Sequence, residues 1–278
     1  MSLPIDSAPW GAHAPRGLAG TLLRWFHRLP PRPRFWYRVI RTLRGPLKRG
    51  PVRDYDVDVL GLRLRLRTRG NFCETTMLFA PQFYDVPELQ WLTDQLQDGG
   101  TFLDIGGNIG LYSLVISHRL GDRVQVHTVE PDAELSARMR FNAATNGLQP
   151  QLAATALSDF EGSATLVIDT RQRGQNNLRD DGAAGATTTR DVPVTTLVRL
   201  CEERGIDTIR AMKIDVEGHE PRILGHFFDH APASLWPRAL LIEYVHERDG
   251  LMDRLTGSLG YRLVARTPRN AMLLRSSA

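Results

Sequence analysis

One long stretch of the chain, residues 55–69, alternates apolar and polar positions at a period of two. Val57, Val59, Leu62, Leu64 and Leu66 fall on one face and Arg63, Arg65 and Arg67 on the other. That rhythm predicts a β-hairpin turning near Gly61. Before it, Trp36, Val39, Ile40 and Leu43 recur at helical spacing beside Phe35, with Arg38, Arg41 and Arg44 between them. This is the pattern of a short basic amphipathic helix. Leu22, Leu23, Trp25 and Phe26 form an earlier apolar group beside Arg24 and Arg28, closed by Pro30, Pro31 and Pro33. Residues 1–20, rich in Pro, Gly and Ala, are expected to be disordered. After the hairpin, Pro87 opens a helix through Glu88, Leu89, Trp91, Leu92 and Leu96, which Gly99 and Gly100 end.

From Thr101 onward, short apolar runs alternate with helical patterns. The spacing predicts strands over Thr101–Ile105, Arg123–Val129, Leu152–Leu157, Thr208–Ile214 and Ala239–Glu243. It predicts helices over Gly110–Arg119, Ala133–Thr145, Val194–Glu203, Glu220–Phe228 and Gly250–Ser258. Strands alternating with helices imply βαβ units and a mostly parallel α/β sheet. Tyr261–Ala265 and Met272–Leu274 read as a closing hairpin, and Thr170–Arg190, rich in Gly, Asn and Thr, as a long loop of the kind that covers sites. Three regions result: a basic N-terminal arm (1–50), a hairpin and helix (51–100), and an α/β domain (101–278).

Charge sharpens this division. Residues 1–69 hold 15 Arg or Lys and four Asp, a net +11, so the chain's overall +4 leaves −7 for the remainder. A basic arm on an acidic body suits an anionic partner: nucleic acid, anionic lipid or a phosphorylated glycan carrier. No apolar run reaches membrane-spanning length, and no secretory signal is expected, because Leu18–Phe26 is short and interrupted by Arg24. Cys73 and Cys201 lack metal-ligand spacing, which argues against a zinc site and excludes a disulfide framework. Two reduced thiols fit a cytoplasmic protein.

The informative segment is Phe102-Leu103-Asp104-Ile105-Gly106-Gly107-Asn108-Ile109-Gly110: a buried strand, a glycine turn and a helix start. Ligands of open α/β sheets bind at such strand ends. A dinucleotide fingerprint anchored on Gly110 needs Gly at 105, where this chain has Ile. Asp104 would repel a pyrophosphate and attract an ammonium or sulfonium group, which favours S-adenosylmethionine over NAD. Glu130 ends the next strand, placed to accept from ribose hydroxyls, and Asp159, in Ala156-Leu157-Ser158-Asp159, is placed to accept from an adenine amino group.

With Val129-Glu130-Pro131 and Met212-Lys213-Ile214-Asp215-Val216-Glu217-Gly218-His219-Glu220, these segments resemble the FkbM-type methyltransferases over about Tyr55–Arg266. The resemblance implies a seven-stranded Rossmann-like class I methyltransferase fold, S-adenosylmethionine as donor, and O-methylation of sugars, glycolipid components or macrolide-type metabolites. It marks Asp104, Gly106, Gly107, Asn108, Gly110, Glu130, Ser158 and Asp159 as the cofactor site. Gly107 stands where the family more usually has Ala, a change expected to loosen the turn.

Methyl transfer from an activated donor is mainly a matter of alignment, and positioning can supply about 7–11 kcal/mol. A hydroxyl acceptor also benefits from a general base. Asp215, Glu217 and His219 are the catalytic candidates: Asp215 to orient the donor's amino group or the acceptor, and His219 or Glu217 to take the proton. Glu243 and His246 form a second pair. Asp215, Glu217 and Glu243 are oxygen ligands suited to Mg²⁺, but their spacing does not demand a metal, and none is assigned. The partner is expected to be a glycan or small-molecule acceptor. Peripheral contact of the arm with the inner face of an anionic membrane is a further expectation, and the aromatics docking on the body is the competing one. A nucleic-acid methyltransferase using the basic arm is the alternative, disfavoured by the lack of an RNA-binding module. A binding module that kept the fold and an NAD-dependent dehydrogenase fit the strand-end acids less well.

Overall fold

A computed structural model describes residues 5–49, 51–169, 177–178, 187–244 and 250–276. The arm holds α1 (Gly17–Arg28), α2 (Phe35–Leu43) and α3 (Gly45–Arg49), followed by the hairpin β1 (Asp54–Val59) and β2 (Leu62–Arg67). Next come α4 (Phe72–Phe79), α5 (Val86–Gln95), β3 (Gly100–Ile105), α6 (Leu111–Leu120), β4 (Val124–Val129) and α7 (Ala133–Thr145). The chain continues through β5 (Gln151–Ala153), β6 (Ala156–Ser158), β7 (Gly162–Asp169), β8 (Asn177–Leu178) and β9 (Thr187–Thr196). It ends with α8 (Leu197–Arg204), β10 (Ala211–Ile214), α9 (Glu220–His230), β11 (Ala239–Glu243), α10 (Leu251–Gly257), β12 (Tyr261–Arg266) and β13 (Asn270–Arg275).

Seven strands form the main sheet in the order β12-β13-β11-β10-β3-β4-β5. Only β13 runs against its neighbours, inserted between β12 and β11. This is a Rossmann-like architecture with an antiparallel strand inserted near one edge. Chain order reverses between β3 and β10, the switch point where such sheets bind ligands. The pleat divides the core between the two faces of the sheet. Phe102, Val126, Ala211 and Leu241 enter one apolar cluster with α4–α6, the hairpin and the arm. Leu103, Ile105, Met212, Ile214 and Ile242 enter the other, with α8–α10.

Several expectations change. The run Leu152–Leu157 is not one strand: β5 pairs with β4, then the chain leaves the main sheet and β6 pairs with β9. An apolar run records burial, not the sheet in which it is buried. Val194–Thr196 end β9 rather than begin a helix, and Thr196 caps α8 by accepting from the Arg199 amide at 3.1 Å. Of the expected loop 170–190, Thr187–Arg190 belong to β9 and Asn177–Leu178 to β8, while the rest lies outside the described residues. β7 and β9 form an antiparallel ribbon paired from Gly162↔Val194 to Asp169↔Thr187.

Of the three arginines on the polar face of the hairpin, Arg63 is exposed but Arg65 and Arg67 are buried. Arg65 is fully buried and donates to both oxygens of its cross-strand partner Asp56, at 2.7 and 2.9 Å. Its remaining donors reach the carbonyls of Asp6, Ala8 and Pro9 at 2.6–3.0 Å. Asp56 in turn accepts from the Gly11 and His13 amides. Residues 5–13 are thereby strapped to the body rather than disordered, and α1 already begins at Gly17. Next along the strand, Arg67 pairs with Asp54 and Glu134, and Arg138 of α7 with Glu74 and Asp54.

Candidate active site

The ends of β3, β4 and β10 open into one cavity of about 210 Å³, roofed by residues from α4 and the segment before α5. Its walls include Gly106, Gly107, Asn108, Glu130, Asp215, Glu217 and His219 among the expected residues, together with Phe72, Cys73, Tyr84, Asp85, Tyr112, Lys213 and Arg269. Asp104, Gly110, Ser158 and Asp159 are not in that wall.

The turn after β3 is shaped by close approach. Gly106 has φ +72°, and a Cβ there would lie 1.9 Å from the carbonyl oxygen of Asp215. Only glycine lets the β3 and β10 ends come this near. A Cβ on Gly107 would meet Thr128 Cγ2 at 2.2 Å. The glycine is therefore demanded by Thr128 and does not loosen the turn. The amides of Gly106 and Gly107 both donate to Val129 O at 3.0 Å. Asn108, at φ +55°, donates its amide to Glu130 Oε2 at 2.8 Å.

Glu130 takes a second amide, from Asp132, on its other oxygen. Burial outweighs these donors and raises its pKa to about 8. Its oxygens retain acceptor capacity toward the cavity, as a diol-binding carboxylate requires.

Asp104 plays a different part from the one expected. It is fully buried; its Oδ2 accepts from the Ser113 hydroxyl at 2.7 Å, and its Oδ1 lies 3.5 Å from Lys213 Nζ. Lys213 donates to Gly106 O at 2.9 Å and sits 3.9 Å from Asp215 Oδ2. Burial lowers the pKa of this lysine, but Asp104 and Asp215 more than reverse that and raise it. The Asp104 charge is thus compensated within the protein and braces the turn. The carboxylates that face the cavity are those of Asp85, Glu130, Asp215 and Glu217.

Asp215, a third exposed, stands at the β10 end. Glu217 follows in a left-handed conformation, φ +53°. Glu220 fixes this loop by accepting from the Val216 and Gly218 amides at 2.8 and 2.9 Å. His219 Nε2 lies 3.0 Å from Ser158 Oγ, so one edge of the ring is engaged beside β6. Ser158 also donates to Asp159, whose carboxylate pairs with exposed Arg222. Asp215, Glu217 and Glu243 each offer an oxygen within 4.8 Å of the others. Arg269, from the β12–β13 turn, pairs with Glu243 and supplies positive charge to that group. His246 lies outside the described residues.

Sequence reasoning missed Asp85 and Arg269. Asp85, at φ +38°, accepts from the Tyr112 hydroxyl at 2.9 Å, and burial together with Glu88 raises its pKa to about 6. No spacing signal announces it. Arg269 reaches the cavity only because Glu243 pairs in register with Asn270. Asn71 did leave a signal: Asn71-Phe72-Cys73-Glu74 reads as a helix cap, and its Oδ1 accepts from the Cys73 and Glu74 amides. Burial pushes the Cys73 thiol up to about 12, which leaves no thiolate for nucleophilic chemistry at neutral pH.

Residues 104–263, more than half of the chain, match the family described as the methyltransferase FkbM domain. The chain belongs to the FkbM methyltransferase family. This FkbM methyltransferase is 31% identical over 203 residues to 31-O-demethyl-FK506 methyltransferase FkbM of Streptomyces tacrolimicus, covering 62% of this chain and 76% of that one. Among solved structures it is similar to a Thermus thermophilus 16S rRNA N2 G1207 methyltransferase at 13% identity, TM-score 0.47, covering 81% of this chain and 51% of that one. It is also similar to an O-methyltransferase-like protein from Klebsiella pneumoniae at 12% identity, TM-score 0.43, covering 69% and 81%. Likenesses of that size carry no functional argument. Its methyl donor is S-adenosylmethionine, and the residues present fit that group. Gly106, Gly107 and Asn108 present close backbone to the cavity, and Glu130 beside them has acceptor capacity to spare.

Proposed function

We propose that this methyltransferase transfers its methyl group to a hydroxyl of a sugar, glycan or small metabolite. One observation carries the reading. The glycine turn packs against the Asp215 backbone at the β3–β10 switch point, so that the turn and the Asp215 carboxylate border the same cavity. The Streptomyces tacrolimicus relative is named for methylation at the 31-O position of its substrate, which supports an oxygen acceptor here.

S-adenosylmethionine, when bound, supplies an activated methyl group. In this reading Glu130 accepts from the ribose hydroxyls, and Gly106–Asn108 provide the close backbone surface. Asp104, through Ser113 and Lys213, holds that surface in place. Asp215 orients the donor's ammonium or the acceptor. Glu217 or His219 takes the hydroxyl proton, and the Ser158 contact holds the His219 ring against β6. Ser158 and Asp159 act on the adenine end from behind Ala156 and Leu157, which do line the cavity.

The test is incubation with labelled donor and a panel of sugars, lipid-linked glycans and secondary metabolites, read by mass spectrometry. Methylated oxygen supports the reading; transfer only to nitrogen, carbon or RNA overturns it. Asp215→Ala is expected to abolish turnover with the fold intact, and unchanged activity refutes its assignment.

A further inference from the structure

Residues 14–49 contain ten Arg or Lys and no Asp or Glu. Among the described residues none of the ten forms an ion pair, whereas Arg65, Arg67 and Arg138 in the body are all paired. The apolar residues of the arm split into two sets. Leu23, Phe26, Leu29 and Ile40 are buried in the cluster shared with the sheet. His27 Nε2 donates to Leu78 O at 2.7 Å, and Gln82 Nε2 donates to the Phe26 and Leu29 carbonyls at 2.8 and 3.0 Å. The inner face is therefore already satisfied. The second set faces solvent: Leu18 is 75% exposed, Trp25 40%, Phe35 58% and Leu43 42%. These four are the majority of the seven large apolar side chains exposed among the described residues.

Docking on the body and amphipathic exposure are thus both present, on opposite sides of the same helices. Leu18 and Trp25 are seven residues apart and share one stripe of α1, with Arg24 and Arg28 beside Trp25. Phe35 leads α2 with exposed Arg38 and Arg41.

We propose that the outer face of α1 and α2 is a peripheral docking surface for an anionic lipid bilayer. Unpaired arginines meet the lipid headgroups, and Leu18, Trp25, Phe35 and Leu43 enter the boundary between headgroups and acyl chains. Charge excludes a symmetric pairing of this face with that of a second copy, since two such faces repel. RNA shares the phosphate chemistry but gives no use to the aliphatic Leu18 and Leu43, which do not stack on bases as aromatics do. No described helix is long and apolar enough to cross a membrane, so the contact is superficial.

The full chain is mixed with vesicles of phosphatidylcholine alone, vesicles containing about 30% phosphatidylglycerol, or a single-stranded RNA oligomer. Sedimentation with the anionic vesicles is expected, with little on the neutral ones. A triple Arg24→Glu, Arg28→Glu, Arg38→Glu variant should lose about a hundredfold or more in partition, from roughly fivefold per basic residue at the surface. A Leu18→Ser, Trp25→Ser, Phe35→Ser variant changes only exposed side chains and should lose about tenfold or more. Calorimetric binding of S-adenosylmethionine by both variants checks that they are folded. Equal binding to neutral and anionic vesicles, no binding to either, or RNA binding without vesicle binding overturns the proposal. So does an apolar variant that partitions like the parent, because charge alone would then account for the contact.

Discussion

Gly107 and Thr128 make a sharp test of how the donor turn is packed. Gly107 does not lie in the left-handed region, so Gly107→Ala is a question of space alone. The new Cβ would lie 2.2 Å from Thr128 Cγ2, where carbon atoms rest at about 3.5–4.0 Å. One of them must give way by more than about 1 Å. Thr128 is fully buried, and its Oγ1 is 2.6 Å from the Ser113 hydroxyl that also holds Asp104, so rotating it away breaks that contact. Overpacking of this kind costs about 1–3 kcal/mol, and the pinned hydroxyl argues for the upper half. Thr128→Ser removes the obstructing methyl, keeps the hydroxyl, and should cost about 0.5–1.5 kcal/mol. In the double variant the alanine methyl fills the space that Cγ2 leaves. Its cost should be under about 1.5 kcal/mol, well below the sum of the single changes. Urea unfolding measures the cycle, and calorimetry with S-adenosylmethionine should show donor affinity lost in Gly107→Ala and recovered in the pair. Strict additivity, or a Gly107→Ala protein as stable as the parent, would refute the packing argument.

Other outcomes follow from the same geometry. Above pH 8, where the Glu130 carboxylate is ionised, Glu130→Gln should weaken donor binding by roughly 10-fold or more, since hydrogen bonds to charged groups are worth about 1.5–3 kcal/mol; calorimetry reads it. The pKa values of Glu130 (about 8), Glu243 (about 8) and Asp85 (about 6) are all raised, burial being the largest cause, so the folded state holds more protons than the unfolded one. Stability without donor should therefore fall as pH rises from the unfolded carboxylate range toward 8, and Glu130→Gln should flatten a melting-temperature profile measured over that range. Arg65→Ala leaves Asp56 buried and unpaired and should cost about 3–5 kcal/mol in urea unfolding. Hydrogen exchange at the Gly11 and His13 amides should then accelerate, because the strap they belong to loses its anchor.

Local rules carried the reading a long way. The helix Ala133–Thr145 and the strand Ala239–Glu243 were legible to the residue. So was the glycine turn at Gly106, because positive φ and close approach impose glycine wherever they occur. The strand-end acids Glu130 and Asp215 were also visible, since a short apolar run ending in a carboxylate marks a strand that delivers it to an edge. What the sequence by itself determined was the alternation of strands and helices that builds the main sheet, the family, and which strand ends deliver carboxylates to the cavity.

Only the tertiary structure decided how charges are paired. Arg65 and Asp104 each looked like a group facing solvent or ligand. Asp56 lies across the predicted hairpin from Arg65, but the Asp6–Pro9 carbonyls that complete the arginine's shell, and Lys213 beside Asp104, come from elements that spacing does not connect. The same holds for Asp85 and Arg269, which reach the cavity through the roof before α5 and the β11–β13 register. Periodicity records whether a residue is covered; it does not record by what. Electrostatics depends on the second fact, because one charge 3 Å away reverses the meaning of another.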